Sequence, residues 1–97
     1  MAAQIRMTPG ELRIQSGRLF DCAVSLEENF KKIHDVVETV NQSFNDTAME
    51  ATSALLLDKV KQTEIVVELL KEMVRSMESA AGCMEQTDNI IAGLFKP

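Results

Sequence analysis

The 97-residue chain contains no tryptophan or tyrosine, only two prolines (Pro9 and Pro97), four glycines and one histidine. Few turn formers and no alternating run of β-branched residues exclude an all-β fold, which leaves an all-α chain. A single histidine excludes a histidine metal cluster or a catalytic triad within one chain. His34 reads as an exposed or boundary residue, and Glu-x-x-His does not occur. There is no glycine-rich phosphate loop and no constellation of acid, base and nucleophile, so neither enzymatic activity nor a cofactor is expected. The net charge of −5 and the lack of a basic stripe argue against nucleic acid. The one adjacent basic pair, Lys31-Lys32, is a solvated helix face. No apolar run reaches the roughly 20 residues of a membrane span. The segment MAAQIRMTPGE lacks the apolar core of a secretory signal.

What the chain does have is a sustained helical period. Thr8-Pro9-Gly10-Glu11 is a helix start, with Thr8 capping, Pro9 in the first helical position and Glu11 completing a capping box. Apolar or small residues then recur at steps of four and three, through Leu12, Ser16, Leu19, Ala23, Leu26, Phe30, Ile33, Val37, Val40 and Phe44. The pattern breaks at Asn45-Asp46. Thr47 to Glu50 form a second capping box, and the same period resumes from Met49 through Ser53, Val60, Val67, Val74, Ala81, Met84 and Asp88 to Phe95. The expectation is one domain over 1–97, with a helix over about 9–42, a turn over about 43–47 and a second helix over about 48–93. So short a connection forces the helices antiparallel, as a hairpin about 50 Å long, with Phe44 plugging its tip.

Several apolar residues fall off the seam: Leu55, Val66, Leu69, Met73, Ala80, Ile90 and Leu94 in the second helix, Ile14, Cys22 and Val36 in the first. A two-helix hairpin has no further layer to cover them, so two hairpins are expected to pair into a four-helix bundle dimer. The predicted contact surface is Leu55, Val66, Leu69, Met73 and Ala80. Cys22 and Cys83 lie too far apart along a hairpin for a disulfide and are expected to be buried and reduced.

The opening Ile5-Arg6-Met7-Thr8-Pro9-Gly10-Glu11-Leu12, the heptad hairpin and the break at Ser43-Phe44-Asn45-Asp46-Thr47-Ala48 together resemble the WXG family of small proteins exported by type VII secretion systems. The stretches Glu68 to Glu72 and Met84 to Asp88 carry the same resemblance. It implies a non-enzymatic substrate, made in the bacterial cytoplasm and secreted without a cleavable signal peptide. The partners it implies are a second copy or a related hairpin, and the type VII secretion ATPase. Phe44, Asn45 and Asp46 stand where the family has Trp-x-Gly, as a surface for the machinery. Met84 and Asp88 stand nearest to its aromatic-x-x-x-acid export motif. The resemblance leaves a second role open, as targeting factor or export chaperone for a larger LXG-type toxin. A third reading, a cytoplasmic coiled-coil scaffold, follows from the heptads alone.

Overall fold

The computed structural model describes residues 6–44 and 46–95 as two helices, α1 (Pro9–Ser43) and α2 (Thr47–Leu94). They pack side by side as an antiparallel hairpin. Arg13, near the start of α1, pairs with Glu85 near the end of α2, and Glu27 pairs with Lys71 between them.

Local chemistry sets the ends. Thr8 Oγ1 accepts from the Glu11 N–H at 3.1 Å, and the Thr8 N–H donates back to Glu11 Oε2 at 3.3 Å. The expected capping box therefore forms, with Pro9 in the first turn, where its missing N–H costs nothing. α1 ends at Phe44, an extended residue whose N–H still reaches the Val40 carbonyl at 2.8 Å.

The second cap differs from expectation. Asp46, not Thr47, caps α2, with Oδ1 accepting from the Met49 N–H at 3.0 Å. A carboxylate one residue earlier satisfies the same orphan amide and adds a favourable charge at the positive end of the helix. Thr47 becomes the first helical residue and Glu50 lies in the first turn. Asn45 lies outside the described residues.

The core is the predicted seam. Ala23, Val60, Val67, Val74 and Ala81 are buried, together with Ser16 and Ser53. Each lies seven residues from the next on its own helix, except for the gap above Ala23, where Phe30 and Val37 are half-buried. Ser16, Ala23 and Ala81, towards the terminal end of the hairpin, are small and almost wholly buried. The buried Ser16 hydroxyl donates to the Arg13 carbonyl at 2.8 Å, so it is not orphaned.

Towards both ends the seam opens. Val40, Met49 and Leu56 near the turn are exposed, and Phe44 is 55% exposed. Phe44 is thus more than half exposed where a tip plug would be buried, and its backbone has already left the helix. At the other end α2 continues past the start of α1. The molecule is accordingly 78 Å in its longest dimension, not 50 Å, and 15 Å in its thinnest. α2 alone, at 48 residues, accounts for about 72 Å.

Candidate interaction surface

The two sides of the hairpin differ in chemistry. Glu27 and Lys71 each stand four residues after a buried position, Ala23 and Val67, and so flank the core on one side. Lys71 Nζ donates to Glu27 Oε2 at 3.0 Å. That hydrogen bond, followed by the lysine charge, holds the Glu27 carboxyl below the usual carboxylate range. Glu85 stands four residues after Ala81 and takes the Arg13 guanidinium on the same side. The hydrogen bond and charge of Glu85 push Arg13 further above its already high value. This flank is an ion-paired surface.

Val66, Met73 and Ala80 each stand one residue before a buried position, Val67, Val74 and Ala81, which turns them to the opposite side. Cys22 stands in the same relation to Ala23, so it shares that side. Val66 and Met73 remain about half exposed, and Leu69, further round, is 58% exposed. Ala80 is also exposed. Leu55, 71% exposed, lies nearer the turn, separated from Val66 by Gln62 and Lys59. The predicted contact residues thus form a strip along α2 that no part of the described chain covers. Spacing in the sequence groups these residues, and the structure adds that the ion pairs lie on the other flank. The offset of each residue from its buried neighbour carried that signal.

The other predicted residues do not gather in one place. Phe44 and Asp46 are exposed at the turn, with Asn45 between them outside the described residues. Met84 is half-buried against α1 and Asp88, one turn on, is exposed. Asp88 falls on the core column, where a carboxylate is tolerated because α1 has nearly ended there. Beyond it, Ile90, Ile91, Leu94 and Phe95 are all exposed.

Both cysteines are free and exposed, against the expectation that they are buried. They lie off the core column, and a two-helix fold buries little else. The register set by the two ion pairs places Cys22 level with the turn around Ser76, roughly 10 Å along the axis from Cys83, beyond disulfide reach.

His34 is exposed, with Nδ1 3.5 Å from Asp35 Oδ1 and Nε2 3.4 Å from Glu38 Oε1. It borders an open cleft of about 500 Å³ between the helices, floored by Phe30, Val60 and Val67 and rimmed by charged side chains. Among the described residues no group of three or more His, Cys, Asp or Glu could hold a metal ion. No helix there is long and apolar enough to cross a membrane.

The described chain is a small helical hairpin with an exposed apolar strip along α2. Over residues 4–89 the chain matches the WXG100 family, described as proteins of 100 residues with WXG, and it belongs to that family. Members are small non-enzymatic helical hairpins, typically dimeric, secreted as type VII substrates. No curated protein and no solved structure matches the chain significantly.

Proposed function

We propose that this chain is an effector-like type VII substrate that is exported as a folded helical pair and acts through protein–protein contact. The observation that carries the reading is the set of exposed apolar residues on α2, Leu55, Val66, Leu69, Met73 and Ala80, on the flank opposite the Arg13–Glu85 and Lys71–Glu27 pairs. Exposed contiguous apolar surface of this kind is costly in water and is retained where a partner covers it. Two hairpins joined there make a four-helix bundle homodimer.

In this reading Phe44, Asn45 and Asp46 take the place of the family's Trp-x-Gly and meet the secretion ATPase. Asp88, exposed one turn after Met84, supplies the acid of the export motif, since residues four apart present side chains on one helix face. The test is export from a type VII-competent cell, compared with its ATPase-deficient counterpart. Asp88→Ala is expected to leave far-UV circular dichroism unchanged and to reduce export. Normal export of that variant removes Asp88 from the signal, and export without the ATPase removes the reading.

One observation favours a second reading. The turn has neither tryptophan nor glycine, so its contact with the export machinery departs from the family pattern. A chain of this kind serves as targeting factor or export chaperone for a larger LXG-type toxin, using the same strip to hold the toxin's helical domain. Light scattering of the purified chain separates the two. A mass of twice 10.8 kDa that persists on dilution supports self-pairing. A monomer supports the toxin-bound role.

A further inference from the structure

The cleft beside His34 lies on the ion-paired flank and takes no part in the pairing proposed for the α2 strip. Glu64 stands four residues after the buried Val60, and Glu68 one residue after the buried Val67, so both turn to the side of Lys71. The core column changes character here. Ala23 and Ala81 are wholly buried, whereas Phe30 is only half-buried and shares the cleft floor with Val60 and Val67. Towards the turn the cleft runs into a second hollow of about 380 Å³, which shares His34, Val60 and Glu64 and extends to Leu57 and Ala54. From Ala54 to Glu68 the combined groove follows about 14 residues of α2, some 21 Å.

The rim of this groove is acidic and only partly balanced. Asp35, Asp58, Glu64 and Glu68 line it, against two lysines, Lys31 and Lys61. Glu27, at the far end, is already held by Lys71. Among the described residues Glu64 and Glu68 make no ion pair. They stand four apart on one helix, where like charges repel each other.

We propose that the groove docks a basic amphipathic helix of a partner protein, with its apolar residues on Phe30, Val60 and Val67 and its lysines or arginines beside Glu64 and Glu68. Shape selects a helix. An extended peptide needs a sheet edge for backbone pairing, and the described residues offer none, whereas a helix lies between two helices through side chains alone. Charge selects a basic one. A second copy of this chain, with a net charge of −5, is disfavoured in this groove by the same carboxylates. The Lys71–Glu27 pair stands at one end of the groove and Arg13–Glu85 beyond it, so a docked helix leaves both pairs in water. The site is independent of self-pairing: a monomeric mass in solution removes the homodimer and leaves this groove as it is.

The test uses the full chain and a synthetic helical peptide of about 15 residues, leucine on one face and lysine on the other. A twin peptide carries glutamate in place of every lysine. Affinity is read from the fluorescence anisotropy of the labelled peptide, and its position from proton and amide NMR. His34 is the only histidine and borders both parts of the groove, so its ring signals report occupancy there. The amides of Val66 and Met73 report the strip on the other flank. The lysine peptide is expected to bind and to move the His34 signals, and the glutamate twin to do neither. Glu64→Gln combined with Glu68→Gln is expected to weaken binding roughly fivefold, the effect of two exposed charge pairs, while helicity is retained. Raising salt from about 0.1 M to about 0.5 M is expected to act in the same direction. Absence of binding by the lysine peptide, or equal binding of the two peptides, overturns the proposal. An unchanged affinity in the double variant does the same. Shifts at Val66 and Met73 with unmoved His34 signals place the peptide on the strip and overturn the groove as its site.

Discussion

Val66 and Val67 are adjacent and chemically identical, yet one is 47% exposed and the other 2%. Alanine at each therefore makes a sharp test of which column faces α1. Truncating Val67 removes two buried methyl groups, about 1.6 kcal/mol of transfer free energy. A small residual cavity adds to this, and the better helix propensity of alanine returns about 0.5 kcal/mol. The expected net loss is about 1.5 kcal/mol, which in a domain of this size lowers the melting temperature by roughly 6–12 °C. At Val66 only about half the side chain is withdrawn from water by the hairpin. The loss of about 0.8 kcal/mol there is nearly offset by propensity. Val66→Ala is thus expected to leave the hairpin's own melting unchanged within about 0.5 kcal/mol.

Pairing changes the second result and not the first. If a second copy covers the remaining half of Val66, both copies lose about 0.8 kcal/mol of contact, and dimer dissociation rises roughly tenfold. The assay is thermal denaturation by circular dichroism across a concentration series, with light scattering on the same samples. Equal destabilisation by the two substitutions at the lowest concentration refutes the assigned register. So does a Val67→Ala protein that melts like the parent.

Other consequences follow from the same geometry. Met73→Glu places a charge on the uncharged flank and is expected to halve the solution mass while leaving helicity largely intact; an unchanged dimer refutes the face. Asp46→Ala removes the α2 cap and is expected to cost about 1 kcal/mol, whereas Thr47→Ala costs little; the reverse order in denaturant midpoints refutes the assigned cap. Because Lys71 lowers the folded pKa of Glu27, that stabilisation is complete above the unfolded carboxylate value of roughly 4.3. It is lost as pH falls through the lower folded value. Glu27→Gln is expected to flatten this acid limb of the stability profile, and identical acid limbs refute the pair's contribution.

The sequence carried the fold because the seam is periodic and sustained. Ser16, Ala23, Val60, Val67, Val74 and Ala81 all lie on the column read from spacing, and all are buried. Spacing identifies a column, however, not how far along it a partner extends. Val40, Met49 and Leu56 obey the period yet stay exposed, because the helices open towards the turn. Ile91 and Phe95 obey it too, but α1 has ended beside them. The cap moved from Thr47 to Asp46 because two adjacent residues could each satisfy the same amide, and only backbone geometry chooses between them. The apolar neighbours of the cysteines in sequence suggest burial, yet both are exposed. Cys22 sits one residue before Ala23, and that single step carries it from the core to the open flank.

α1 ends its partnership with α2 before α2 itself ends, and this separates two kinds of stability in one helix. The segment from Ile90 to Leu94 lies beyond the level of Pro9, where α1 begins, and its large apolar side chains are exposed. A helix so short is marginal when unsupported. Its unwinding therefore costs the rest of the fold almost nothing, while a bound partner helix orders it. Amide exchange along α2 then falls into two regimes: protection up to the level of Ala81 tracks the unfolding of the hairpin, and protection beyond Asn89 tracks occupancy by whatever docks there. The last turns of α2 act as a local order–disorder element whose state reports binding and leaves the hairpin behind it unchanged.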